Sequence, residues 1–111
     1  MNIDELKQWA EVQNISDRII GSFKKFLQNY ELDDPIEYAE VMKGIDKENL
    51  KYHVHTISLN LGNWPECSYN TVSGSMDVYF GEKQIAKYKV FYLFSGEVED
   101  DIADFLKVDK W

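Results

Sequence analysis

The sequence predicts an α+β domain in which N-terminal helices pack on one face of an antiparallel sheet of three to four strands. Three observations carry that prediction. Before residue 45 the apolar residues recur at helical spacing, as in Ile19, Ile20, Phe23, Phe26, Leu27 and Tyr30. From Leu50 onward the period drops to two. Between Ser75 and Ser95 the alternation runs on both sides of Phe80-Gly81-Glu82-Lys83-Gln84, the pattern of a β-hairpin. The second arm of that hairpin sets Ala86, Tyr88, Val90, Tyr92 and Phe94 on one face, and Ile85, Lys87, Lys89, Phe91 and Leu93 on the other. A hairpin this apolar needs a cover in water, and the amphipathic segments that precede it supply one.

Each element has a local reason. Ile3, Leu6, Trp9, Ala10 and Val12 form the apolar stripe of a first helix, with Asp4 and Glu5 in the turn where the dipole favours negative charge. Ser16 is the expected cap of a second helix, and Gly21 inside it predicts close packing. Asp34, Pro35 and Glu37 read as cap, first position and third position of a third helix that stops at Gly44. Ile36, Ala39, Val41 and Met42 are expected to bury. Leu50 to Leu61 alternates as a strand whose core side is expected to hold His53, His55, Ile57, Leu59 and Leu61. Gly62 to Gly74 is rich in turn formers, and Tyr69 to Val72 within it can extend the next strand across a bulge. Near the end, Ile102, Phe105 and Leu106 favour a short C-terminal helix, although Val98, Ile102 and Phe105 also fit an edge strand.

Composition bounds the function. With 111 residues, the chain suits one domain spanning residues 1–111, and 44% hydrophobic and 14% aromatic residues are enough for a core. No apolar run approaches the ~20 residues of a membrane helix, and MNIDELKQWAEVQN lacks signal-peptide order. The single cysteine, Cys67, makes no intrachain disulfide and fits a reducing compartment, so a soluble cytoplasmic protein is expected. Twenty acids against twelve bases give a net charge of −8, and Arg18 is the one arginine. Nucleic-acid binding needs the opposite balance, so a basic protein is the expected partner.

No residues form an established catalytic motif, and no cofactor or metal is predicted. His53 and His55 share one strand face, with Cys67 or Glu66 as further ligands, but their spacing matches no zinc pattern. Cys67 lies beside Glu66, whose carboxylate opposes the thiolate a nucleophile needs. Acids gather in two blocks. Glu31, Asp33, Asp34, Glu37 and Glu40 suit helix starts. Glu97, Glu99, Asp100, Asp101 and Asp104 put five acids into eight positions, more than capping requires, and suit a docking surface. Trp64, beside Pro65, and Trp111 are candidate aromatic anchors for it, whereas Trp9 is expected in the core.

Helices from Ile3 to Lys43, then the hairpin MDVYFGEKQIAKYKVFYLF followed by GEVEDDIADFL, give a chain that resembles the small acidic immunity proteins of bacterial contact-dependent toxin–immunity pairs. The resemblance implies a cytoplasmic, non-enzymatic protein that binds and neutralises a cognate toxin, often a nuclease. Partner-binding residues are then expected at Trp64, Glu97, Glu99, Asp100, Asp101 and Asp104. The alternative is a small enzyme or ligand-binding domain with a nuclear-transport-factor-like cone fold, its pocket lined by Tyr88, Tyr92, His55 and Asp77.

Overall fold

A computed structural model describes residues 1–106. Three helices, α1 (Ile3–Val12), α2 (Ile15–Asp33) and α3 (Pro35–Val41), precede a short 3₁₀ turn and four strands. The strands are β1 (Leu50–Gly62), β2 (Tyr69–Phe80), β3 (Lys83–Tyr92) and β4 (Val98–Phe105). They form an antiparallel meander in the order β1-β2-β3-β4, so β1 and β4 are its edges. The α+β architecture is the expected one. Trp111 lies outside the described residues.

The helix boundaries follow capping chemistry. Asn2 accepts from the Glu5 amide while the Glu5 carboxylate accepts from the Asn2 amide, a capping box that opens α1. A chain reversal at Asn14, with φ 53°, separates α1 from α2, so α2 begins before the expected Ser16 cap. The Asp34 side chain accepts from the Glu37 amide and Pro35 takes the first position of α3, as the sequence requires.

α2 is the helix that covers the sheet. Ile15, Ile19, Phe23 and Leu27 are buried along one stripe and meet Met76, Val78, Tyr88, Val90 and Tyr92 from β2 and β3. Phe23 is the hub: its ring lies 5.2 Å from Tyr88 and 6.2 Å from both Tyr52 and Phe105, reaching three strands. The close approach is made at Gly74, not at Gly21, which is exposed with open space beside it. A Cβ at Gly74 would fall 2.3 Å from Ile19 Cδ1. On α3 the buried residue is Tyr38, followed by Met42 at the C-cap, while Ile36 and Ala39 point to solvent. A seven-residue helix buries one narrow stripe, and the register set by Pro35 turns Tyr38 inward against Tyr30.

Three register shifts bend the strands. In β1 the shift falls between Val54 and Thr56 and leaves His55 without an opposite residue. Leu50, Tyr52 and Val54 therefore face the helices, and after the bulge Ile57, Leu59 and Leu61 do, opposite Phe80, Val78, Met76, Gly74, Val72 and Asn70. His53 and His55 lie on the other side, which corrects the expected core set. In β3 the shift places Ile85 in the core beside Ala86. In β4 it falls at Glu99.

Gly74→Ala is expected to lower stability by about 1–3 kcal/mol through overpacking against Ile19. Ile19→Val removes the clashing methyl, so the double variant should lose less than the sum of the two singles in urea unfolding.

Candidate protein-binding surface

The acidic segment from Glu97 to Asp104 is almost wholly β4, an edge strand and not a helix. Helical spacing of Ile102, Phe105 and Leu106 is outweighed by pairing with β3, where Phe105 lies opposite Ala86 and Asp104 opposite Lys87. Leu106 continues that ladder through its amide, which donates to the Ile85 carbonyl.

The strand is launched from a turn that the helices hold. Trp9 Nε1 donates to the Phe94 carbonyl at 2.9 Å, and Arg18 Nη2 donates to the Gly96 carbonyl at 2.6 Å. Arg18 also lies over the Tyr92 ring at 5.0 Å and donates to Gln13 Oε1 at 3.2 Å. Gly96 has φ +95°, and a Cβ there would meet the Gln13 amide group, so the turn needs glycine on both counts. The only arginine thus shapes the acidic strand from beneath.

The pleat and the Glu99 bulge split the five acids. Asp101 lies opposite Val90 on the helix side, where it accepts a hydrogen bond of 2.5 Å from the Tyr88 hydroxyl. Tyr88 is buried, and burial first, with the Asp101 carboxylate second, raises its pKa far above the ordinary tyrosine value. Asp101 is therefore committed to the fold. The neighbouring Glu99 carboxylate is the main reason the Tyr69 pKa is raised. Asp104 sits next to Lys87 on the open face of the sheet. Asp100 faces the same side next to Phe91, and its carboxylate accepts the Asp101 amide at 2.8 Å. Glu97 stands exposed in the turn, its carbonyl accepting from the Leu93 amide. Between the acids, Val98 and Ile102 remain 52% and 54% exposed.

Trp64 is 75% exposed in the β1–β2 connection, where its peptide to Pro65 is cis. The register runs Leu59, Val72, Tyr92, Val98 across the sheet, so this connection and the start of β4 share one end. The influence of Glu99 on the Tyr69 hydroxyl reflects that proximity. Trp64, Glu97, Glu99 and Asp100 are thus gathered at that end, and Asp104 lies further along the edge. Trp9 packs edge-on against Tyr92 with ring centroids 6.2 Å apart, as a core-rim residue should.

The remaining candidates divide between the two faces. Tyr88 and Tyr92 point into the helix-side core, whereas His55 and Asp77 lie on the open face with His55 Nε2 3.4 Å from Asp77 Oδ1. Three of the four, His55, Asp77 and Tyr88, border one open groove, while Tyr92 is not among its lining and packs in the core with Phe23 and Val90. The His53 and His55 rings stand 5.8 Å apart. Among the described residues no three His, Cys, Asp or Glu side chains form a metal-holding group. Cys67 is half-buried in the connection, with its carbonyl accepting from Asn70. An open groove of about 440 Å³ crosses the exposed face between His55, Asp77, Lys87 and Asp104. No helix among the described residues is long and apolar enough to cross a membrane. Comparison of the chain with protein-family models, with curated proteins and with solved structures finds no match in any of the three.

Alignment of the acids along a free edge follows from strand periodicity. Their individual duties do not, because the Tyr88–Asp101 and Tyr69–Glu99 pairs depend on a register that no single segment reveals.

Asp101→Ala is expected to cost about 1–3 kcal/mol, because the buried Tyr88 hydroxyl loses its acceptor. Burial also raises the pKa of Tyr38, Tyr52 and Tyr92, so these hydroxyls hold their protons more tightly when folded. A raised pKa stabilises fully below the unfolded value of about 10, and that contribution is lost as pH rises beyond it. Thermal midpoints should hold to about pH 10 and then fall, and Tyr88→Phe should soften the fall.

Proposed function

We propose that this protein is an immunity protein that binds a basic toxin, a nuclease, in the cytoplasm and neutralises it through the β4 edge. One observation supports the reading above all. A strand edge with no partner among the described residues carries Asp100 and Asp104 facing solvent, with Glu97 in the turn before it. Val98 and Ile102 are exposed between these acids, and Trp64 lies at the same end. Acids on an edge repel a second acidic edge and so guard against indiscriminate strand pairing. The same acids attract a protein whose surface is built to hold phosphate, which speeds encounter and rejects wrong partners. The apolar pair and Trp64 then supply the desolvated contact that holds the complex.

The binding role needs no reaction of its own. Tyr88 and Tyr92, which a cone-shaped pocket would present to a ligand, are instead occupied in packing against α2.

The reading requires a toxin gene immediately upstream of this one, and the test uses the product of that gene. Wild-type protein should suppress its nuclease activity, with an association rate that falls steeply as salt rises. Glu97→Lys with Asp100→Lys and Asp104→Lys should slow association at least about tenfold and flatten the salt dependence. Asp101 is left native because it holds Tyr88. Unchanged association by the triple variant would reject β4 as the docking edge, and failure of the wild type to suppress the activity would reject the immunity role.

A further inference from the structure

The two edges of the sheet are built differently. β4 is guarded by acids, whereas β1 presents thirteen residues, Leu50–Gly62, with no acid, no proline and one cation, Lys51. Its outer side has no strand partner among the described residues. Beside its middle runs an open groove of about 580 Å³ between α1 and β1, lined on its apolar side by Ile3, Leu6, Ala10, Val54 and Ile57. Ile3 is 84% exposed, and α1 buries none of its residues although it is amphipathic. Natural folds seldom leave a long, uncharged edge beside an uncovered apolar groove.

We infer that β1 pairs antiparallel with β1 of a second copy, making a two-fold dimer with one continuous eight-stranded sheet. The reason is the self-complementarity that the bulge confers. With the two-fold axis between His55 and Thr56, Leu50 meets Leu61 of the second copy, Tyr52 meets Leu59 and Val54 meets Ile57. All six of those residues face the helix side of their own sheet. On the open face Lys51 meets Asn60 of the second copy, His53 meets Ser58 and His55 meets Thr56, and no like charges stand opposite one another. Apolar therefore meets apolar and polar meets polar along the whole strand. A strand without the bulge would not do this, since its two halves would present opposite faces.

The same axis brings the two α1 grooves together, so Val54 and Ile57 of each copy extend the apolar floor that Ile3 and Leu6 leave uncovered. Both acidic β4 edges fall at the far ends of the joined sheet, which holds those two runs of acids well apart. Guarded outer edges also close the assembly at two copies. The inference is independent of the role given to β4, which stays free.

Sedimentation equilibrium of the full chain, run up to about 0.3 mM, tests it directly. The wild type should sediment with the mass of two chains. His53→Lys with Ser58→Lys places like charges opposite each other twice across the axis and should weaken association about tenfold or more. His53→Lys with Ser58→Glu places opposite charges there and should restore it. Far-UV circular dichroism and thermal melting confirm that each variant is folded, since positions 53 and 58 lie on the open face away from the core. A wild type that stays monomeric throughout, an open-ended series of larger species, or two double variants that associate alike would overturn the inference.

Discussion

The packing of helix on sheet depends on a close approach between an isoleucine and a glycine. Gly74 lets Ile19 reach the backbone of β2, and with Ile19 seated there Phe23 falls where it can touch Tyr88, Tyr52 and Phe105 together. Burial of such rings, with their edge-to-face geometry, supplies much of the driving force a chain this small can gather. Everything that distinguishes the two faces of the sheet follows from that seating. Once α2 lies over β2 and β3, Tyr88 is sealed beneath it, and its hydroxyl must find an acceptor. Asp101 on the neighbouring strand is that acceptor.

Five acids that look equivalent in a row are thereby given unequal duties. One satisfies a buried hydroxyl, one acts on the Tyr69 hydroxyl, one stands beside Lys87, and Glu97 and Asp100 are left with the most freedom toward solvent. Charge density on an edge strand is thus partly structural and partly available to a partner. The division is made by the pleat and by a single bulged residue, Glu99.

Much of this architecture was legible in the residues themselves. The stripe from Ile19 to Tyr30, the Asp34-Pro35-Glu37 helix start and the alternation of Ala86, Tyr88, Val90 and Tyr92 are strong local signals, and each element forms where they stand. The misreadings share one cause, namely tertiary context acting on a weak local pattern. In β1 the apolar residues sit at even positions through Val54 and at odd positions from Ile57, which is the mark of a bulge, yet uniform alternation put His53 and His55 on the core side. At the C-terminal end, spacing alone left helix and strand open, and the free hydrogen-bonding edge of β3 decides for strand. The acidic edge was visible as a charge run, but which acid serves the fold depends on register across strands, and that is fixed only when the sheet is assembled.

The turn at Leu93–Gly96 has a further consequence for the newborn chain. Its links to the helices span 85 residues from Trp9 to Phe94 and 78 from Arg18 to Gly96. α1, which buries none of its own residues, gains its hydrogen bond to the sheet only after β3 has been made. The hydrogen bond from Trp9 is thus among the last to form, and the closing of that loop fixes the turn from which β4 departs.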